Sequence, residues 1–187
     1  MTPFLLTDRL RLRQPGIGDA ARMAEFLGNF AVSGNLARVP HPYTLQHAED
    51  WLGTWRAGAR PENARFVIEL PGEGAIGQIG MHARDGQAVI GYWLGEPYWG
   101  QGYMTEAMDT VIGWYFSASG ADQLISGVFH FNMASLAIQQ KLGFVETGRS
   151  RVYCQARGET LEHIDTELTR EAFDVHAARQ TVNKKLA

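Results

Sequence analysis

Apolar and polar residues alternate in different rhythms along the chain, and these rhythms predict short strands and helices. Residues 10–13 alternate leucine with arginine, which is typical of a half-buried strand. Two amphipathic helices are predicted next, with Asp19 and Thr44 at their N-caps. The segment 30–43 between these helices contains two prolines and has no clear period, so it is predicted to be a loop.

The middle of the chain is predicted to form three antiparallel strands. They cover residues 65–70, 75–82 and 88–94, which are apolar runs separated by turn residues. Asp85-Gly86, between the last two runs, is a strong hairpin signal.

The second half of the chain alternates helices with strands. Helices are predicted over 103–119, 134–142 and from Arg170 to about 183, and strands over 123–129, 145–153 and 161–168. The resulting order is β-α-α-β-β-β-α-β-α-β-β-α, which is a mixed α/β fold. The strand–helix–strand unit over 88–129 has the length of a parallel crossover, so the sheet is expected to be mixed.

Composition and charge exclude several classes of protein. With 187 residues, 45% of them apolar, the chain is expected to form one domain, with a core over about 7–170 and a terminal helix over about 170–183. The net charge of −3 argues against a nucleic-acid-binding protein. No uncharged apolar run approaches the roughly 18–20 residues that cross a bilayer. The apolar residues 4–6 are too few for a signal peptide.

No metal site is expected. The single cysteine, Cys154, excludes an internal disulfide and a multi-cysteine metal site, and it favours a reducing cytoplasm. On a half-buried strand this thiol is expected to be inert. The histidines interpreted as structural or surface residues, because they lack metal-ligand spacing, are His47, His82, His130, His163 and His176.

A glycine-rich turn joins the strand over 88–94 to the long helix. Gly100 and Gly102 open that helix, where unpaired backbone amides and the positive end of the helix dipole meet. Because glycine has no Cβ, a diphosphate could approach these amides closely. No Lys-Ser/Thr pair follows, so the turn is not a P-loop, and Thr105 stands where a dinucleotide fingerprint has its third glycine. A plain glycine turn is the alternative interpretation.

In its wider context the turn resembles the GNAT superfamily of N-acetyltransferases. The chain looks most like the branch with the Rim-type enzymes, which act on N-terminal amines of ribosomal proteins. The segments that carry the resemblance are 7–13, 40–43, 90–94, 98–107, 132–135 and 141–144. The resemblance implies the GNAT fold, with a mixed central sheet of about seven strands and helices on both faces.

The resemblance implies acetyl-CoA as the acetyl donor. Its diphosphate would lie on the amides from about Gln101 to Thr105, and its pantetheine arm would lie between the strands over 88–94 and 123–129. The backbone N–H near Leu94 would polarise the thioester carbonyl. Met104 departs from the family pattern, and its side chain must point inward to avoid the donor. The residues expected at the donor are Tyr92, Trp93, Leu94, Trp99, Gly100, Gln101, Gly102, Tyr103, Met104, Thr105, Asn132 and Ser135.

Proton transfer in the reaction is harder to assign. Many family members have a tyrosine acid where this chain has Gln139, and the resemblance makes Ser135 the candidate acid, with a serine at the start of a helix as its alternative role. Asn132 has the alternative role of a simple N-cap. Candidate bases are Glu96, Glu69 and His41, or water without a single base. Glu106 is interpreted as structural, since an acid in the first helical turn is favoured by the dipole.

The acceptor site is assigned only broadly. His41, Tyr43 and Glu69 are the residues expected to contact the acceptor. Trp51 and Trp55, together with Tyr43, could wall its pocket or belong to the core of the second helix.

Together, these features predict transfer of acetyl from acetyl-CoA to a primary amine by direct attack in a ternary complex. The amine could be a protein N-terminus or a small molecule. The alternatives are a non-catalytic module that binds CoA or acyl-CoA, and a protein that binds ADP at the same turn. No nucleic-acid or membrane partner is expected, and family habit suggests a homodimer.

Overall fold

The computed structural model describes residues 3–54 and 60–186, with side chains up to residue 180. Within these residues, one sheet contains eight strands. The strands are β1 Leu5–Leu6, β2 Arg11–Arg13, β3 Arg65–Leu70, β4 Gly74–Arg84, β5 Gln87–Leu94, β6 Gln123–Phe129, β7 Val145–Cys154 and β8 Glu159–Thr169. The helices are α1 Ala20–Leu27, α2 Phe30–Ser33, α3 Leu45–Thr54, α4 Tyr103–Ser119, α5 Met133–Lys141 and α6 Arg170–Leu186.

The sheet has the order β1-β2-β3-β4-β5-β6-β8-β7. Its neighbouring strands are antiparallel except β5 and β6, which run parallel and are joined through α4. The parallel ladder holds the single pair Val89↔Ile125, so the two strands separate toward their carboxyl ends. The predicted mixed sheet and parallel crossover are confirmed, and the separation places an opening beside the start of α4.

Two apolar clusters cover opposite faces of the sheet. The main core contains the predicted apolar stripe of α4, from Met104 to Tyr115, and also Phe116. The second cluster lies under α1 and α3. Tyr92 packs against the main core and Trp93 against the second cluster. Because successive side chains of a strand point to opposite faces, this pair shows that helices cover both faces, as predicted.

The local patterns predicted most elements within a few residues, and three differences have physical causes. The segment predicted as a loop contains α2, because Asn29 accepts a hydrogen bond from the amide of Ala31 at 2.9 Å and starts a helical turn. Asp19 stands at the N-cap of α1 without capping it, since its carboxylate binds Arg13 at 2.7 Å instead. The sheet has one strand more than predicted, which is β1. This strand has only two residues and is too short to show a period in the sequence.

Other predictions depend on turns and caps. Asp85 and Gly86 have φ values of 51° and 80°, which fit the predicted hairpin turn. Thr44 caps the start of α3 through the amide of His47 at 3.4 Å. Trp55 lies outside the described residues. Over the ranges 3–54 and 60–186, no helix is long and apolar enough to cross a membrane.

Candidate active site

The glycine turn before α4 has the geometry of an anion-binding helix start. Gly100 and Gly102 have φ values of 73° and 80°, in the left-handed region that favours glycine. No side chain caps α4 at Gly102, so the amides of its first turn, Tyr103 to Thr105, are not used by a cap. A Cβ atom on Gly100 would meet no atom within 4 Å, so the turn is open. These features fit a diphosphate.

Arg9 and Glu106 hold the chain near residue 9 against this turn. Arg9 Nε donates to Glu106 Oε2 at 2.7 Å, and Arg9 Nη1 donates to the carbonyl of Gln101 at 2.9 Å. The hydroxyl of Thr7 donates to Glu106 Oε1 at 2.5 Å. Burial opposes ionisation of Glu106, but the hydrogen bonds from Thr7 and Arg9 outweigh it and lower the pKa of Glu106. These contacts support a structural role for Glu106, which holds Thr7 and Arg9 beside the turn. Arg9 also brings a positive charge to the turn.

The side chains around the turn take up distinct positions. Met104 is 5% exposed and packs in the main core, so it points inward as its departure from the family pattern requires. Trp99 is 44% exposed, and its Nε1 donates to the carbonyl of Leu94 at 2.7 Å. The side chain of Leu94 is buried in the main core. Only the backbone of Leu94 can therefore face the opening between β5 and β6.

A polar network formed by Tyr92, Ser126, Gln139 and Thr166 lies where β5 and β6 separate. Gln139 is fully buried and donates to the hydroxyls of Tyr92 at 3.2 Å and Ser126 at 3.0 Å. Its Oε1 accepts from Thr166 at 2.7 Å. Ser126 donates to the carbonyl of Ile90 at 3.0 Å, which links β6 to β5. Gln139 therefore has a structural role at the position where many family members carry tyrosine.

The start of α5 presents Ser135 toward the same region. Asn132 Oδ1 accepts from the amide of Ser135 at 3.2 Å, so Asn132 is the N-cap of α5. The hydroxyl of Tyr92 donates to the carbonyl of Ser135 at 3.3 Å, and burial raises the pKa of Tyr92. Among the described residues, none forms a hydrogen bond with Ser135 Oγ. Because Asn132 does the capping, the hydroxyl of Ser135 is available to a ligand.

Two of the three predicted candidate bases, Glu69 and Glu96, are held by other groups. Glu69 binds Arg13 Nε at 2.5 Å and Arg11 Nη1 at 3.5 Å. Glu96 is exposed, and its Oε2 accepts from Asn29 Nδ2 at 2.5 Å. Both carboxylates are thus committed to neighbouring donors.

The predicted acceptor residues lie around α2 and α3. His41 is exposed, with its Nδ1 3.3 Å from Ser33 Oγ and its ring edge-on to Phe30. Tyr43 and Trp51 pack against the second apolar cluster, which supports the core interpretation of both. Burial raises the pKa of Tyr43.

Cys154 and the metal-ligating residue types are also placed by the structure. Cys154 is fully buried, with its Sγ 3.5 Å from the carbonyl of Leu36. In the part of the chain that is described, no three His, Cys, Asp or Glu side chains are grouped to hold a metal ion.

Sequence reasoning missed a histidine–aspartate pair on β8, beside the second half of β6. His163 Nδ1 lies 2.9 Å from Asp165 Oδ1, and Ser150 Oγ donates to the same oxygen at 2.9 Å. His163 pairs with Phe129, the last residue of β6. The available signal was the His-x-Asp spacing on a strand, which puts both side chains on one face.

An aromatic group adjoins this pair. The ring of Phe131 stacks on Phe129 with 5.7 Å between centroids. The guanidinium of Arg157 lies over Phe131 at 4.5 Å and over Phe30 at 5.0 Å. This group connects the end of β6 with α2, so it borders the opening on the side of α2.

Comparison with known proteins defines the class to which this fold and turn belong. The family model described as "Acetyltransferase (GNAT) domain" matches residues 9–145 of this chain. The uncharacterized N-acetyltransferase YoaA of Bacillus subtilis (strain 168) is 31% identical over 163 residues, which are 84% of this chain and 92% of YoaA. The chain belongs to the GNAT family and is an N-acetyltransferase of that type.

Two solved structures share the fold. Mycobacterium smegmatis RimJ, in complex with CoA-disulfide, superposes with a TM-score of 0.80 at 22% identity, covering 96% of this chain and 95% of RimJ. The ribosomal-protein-S5-alanine acetyltransferase of Vibrio fischeri superposes with a TM-score of 0.76 at 21% identity, covering 89% of this chain and 96% of that protein. The GNAT fold is therefore confirmed, with eight strands where about seven were expected.

Proposed function

We propose that this protein transfers the acetyl group of acetyl-CoA to a primary amine by direct attack in a ternary complex. The observation that carries the proposal is the opening between β5 and β6 beside the uncapped start of α4. An elongated thioester with a diphosphate fits this arrangement, because the anion meets free amides while the thioester reaches between the strands. Acetyl-CoA is a substrate here and leaves as CoA after each turnover.

On the donor side, the amides from Gln101 to Thr105 bind the diphosphate, and the aromatic side chains of Trp99 and Tyr103 border it. Arg9 adds positive charge near Gln101. The backbone N–H near Leu94 polarises the thioester carbonyl, which stabilises the negative charge that develops on its oxygen. Tyr92, Trp93 and Asn132 line the pantetheine arm.

Ser135 is the candidate acid for the departing sulfur. Its hydroxyl is not used by the N-cap of α5, so it can donate to the thiolate. Gln139 cannot supply a proton and is bound within the polar network. Ser135 therefore replaces the tyrosine that many family members carry.

The acceptor enters from the side of α2 and α3, where His41 is exposed. Glu96 follows β5 and stays a candidate contact for the amine, while Glu69 is held by arginines and better suited to a structural role. A protein N-terminus is the favoured acceptor. The Rim-type enzymes act on N-terminal amines, and the resemblance to them includes both the glycine turn and the loop over 40–43. An α-amine has a pKa near 7.7–8.0, so it loses its proton more easily at neutral pH than a lysine amine.

The test measures thiol release from acetyl-CoA with a panel of amines, followed by mass spectrometry of the products. The panel contains peptides with free N-termini, the same peptides with blocked N-termini, polyamines and amino acids. Acetylation of the free N-termini supports the proposal. Donor binding without thiol release from any amine would instead support the non-catalytic CoA-binding module. Competition by ADP with the same affinity as CoA would support the nucleotide-binding alternative.

A further inference from the structure

We infer that His163, oriented by Asp165, accepts the proton of the attacking amine. The inference rests on the proposed acetyl transfer and adds the base that the sequence left unassigned. Three observations support it: the geometry of the pair, its place on the sheet, and the hydrogen bonds that already engage Glu69 and Glu96.

The hydrogen bond between His163 and Asp165 determines which ring nitrogen of the neutral imidazole carries the proton. The carboxylate of Asp165 accepts hydrogen bonds, so the contact of 2.9 Å assigns the proton of the neutral imidazole to Nδ1 of His163. Nε2 then carries the free lone pair. Ser150 Oγ donates to the same carboxylate oxygen at 2.9 Å and helps to fix its orientation. A base held by a third group in this way is the arrangement used for general base catalysis.

Register places the pair at the opening. Val89 of β5 pairs with Ile125 of β6. Four residues further along both strands, Trp93 lies level with Phe129, which pairs with His163 of β8. All three side chains lie on the face opposite the polar network, because strand side chains alternate. An amine that reaches the opening from this face meets the ring of His163 over Gly127 of β6.

Gly127 allows this placement. A Cβ atom at Gly127 would collide with the ring of His163. The ring therefore lies directly over β6 and is only 18% exposed, although it is on the acceptor side. The aromatic ring of Phe129 meets it edge-on at 5.6 Å between centroids.

The charge around His163 suits a base. On β6 it faces Gly127 and Phe129 and on β7 Ser150, none of which carries a charge. Among the residues that the structure describes, the charged group hydrogen-bonded to it is Asp165, which stabilises the imidazolium formed when Nε2 gains a proton. The carboxylates of Glu69 and Glu96, by contrast, already accept hydrogen bonds from Arg13 and Asn29.

An N–H bond of the ammonium breaks, and its proton forms an N–H bond at Nε2 of His163. The free amine attacks the thioester carbon, a C–N bond forms and the C–S bond breaks. As the C–S bond breaks, Ser135 donates its hydroxyl proton to the CoA thiolate and takes up the second proton of the nitrogen, and His163 returns the first proton to solvent.

The test compares His163→Ala, His163→Gln and Asp165→Asn with wild type in the thiol-release assay. His176→Ala is the matched control, because His176 pairs with Asp109 at 3.3 Å on α6 and α4, away from the opening. We expect kcat to fall at least 100-fold in both His163 variants and about tenfold in Asp165→Asn. The thermal shift caused by acetyl-CoA should stay unchanged in each, and added imidazole should restore His163→Ala at least fivefold.

A purely structural role for His163 would not allow rescue by imidazole. Activity of His163→Gln within twofold of wild type would overturn the inference, as would a loss in His163→Ala that imidazole does not restore. Wild-type protein that binds acetyl-CoA but acetylates no amine would instead overturn the proposed function, so the two failures are distinct.

Discussion

The guanidinium of Arg9 binds the carboxylate of Glu106 at 2.7 Å and the carbonyl of Gln101 at 2.9 Å. Arg9 thus joins the start of the chain to both sides of the turn that precedes α4. Its backbone amide also donates to Glu106, at 2.8 Å. The shape of the proposed donor site therefore depends on a residue 97 positions away from Glu106 along the chain.

Replacing Glu106 should loosen this connection. Glu106→Gln removes the charge that Thr7 and Arg9 bind, and we expect the free energy of unfolding to fall by about 1–2 kcal/mol. Urea denaturation measures the change, with Asp174→Asn, an exposed carboxylate on α6, as the control. Equal free energies of unfolding for Glu106→Gln and wild type would show that the contact of Glu106 with Thr7 and Arg9 does not stabilise the fold.

Gln139 should be important for stability. Gln139→Leu removes the hydrogen bonds that the Gln139 amide makes with three buried or half-buried hydroxyls, those of Tyr92, Ser126 and Thr166. We expect a loss of about 2–4 kcal/mol in the free energy of unfolding. Gln140→Leu is the matched control, since its exposed side chain is the neighbour of Gln139 on α5. Similar stabilities of the two variants would contradict the structural role of the network.

Ser135→Ala tests the proposed acid. The variant keeps the N-cap, because Asn132 accepts from the backbone amide of residue 135. We expect kcat to fall about 10–100-fold while the affinity for acetyl-CoA stays within twofold. Steady-state kinetics and calorimetric titration separate the two effects, with Ser117→Ala on the exposed face of α4 as the control. An unchanged kcat would remove Ser135 from the mechanism.

His82 should make the fold sensitive to acid. Burial, together with Arg38, Arg65 and Arg84, lowers the pKa of His82 from 6.5 to about 4. Between these values the unfolded chain binds more protons than the folded chain, so stability falls as the pH drops from 6.5 to 4. After allowance for solvent screening, the loss is about 1–2 kcal/mol.

Unfolding curves at pH 7 and pH 4.5 measure this effect. His82→Gln should lose less stability than wild type between the two values, whereas the exposed control His130→Gln should behave like wild type. The same loss in all three proteins would exclude His82 as the cause.

Local patterns predicted the elements that frame the candidate site. The helix predicted over 103–119 and the strand predicted over 65–70 have the same bounds as α4 and β3, because packing follows the periodicity that the sequence displays. The glycine turn was recognisable because its conformation depends on Gly100 and Gly102 themselves. The inward position of Met104 follows from the resemblance, because a side chain of this size pointing outward would crowd the donor.

The rest depends on contacts between distant segments. Nothing local indicates that Arg9 meets Glu106, or that Asn29 binds Glu96. The sequence is searched at His163 only for metal-ligand spacing, which does not indicate a hydrogen bond with Asp165 two residues further on. The ring position over Gly127 requires the pairing of β6 with β8, which no periodicity reveals.

The most direct test of the central claim is thermal unfolding with and without acetyl-CoA, in wild type and Thr105→Asp. At about 100 times its dissociation constant, a ligand stabilises the fold by roughly 2.7 kcal/mol, which predicts a rise in Tm of about 5–10 °C for wild type. Thr105→Asp places a carboxylate in the first turn of α4, which favours the helix but repels a diphosphate.

We therefore expect Thr105→Asp to fold at least as stably as wild type and to lose most of the shift, while the neutral control Thr105→Asn keeps it. No shift in wild type at millimolar acetyl-CoA, or an equal shift in wild type and Thr105→Asp, would contradict a donor site at the start of α4.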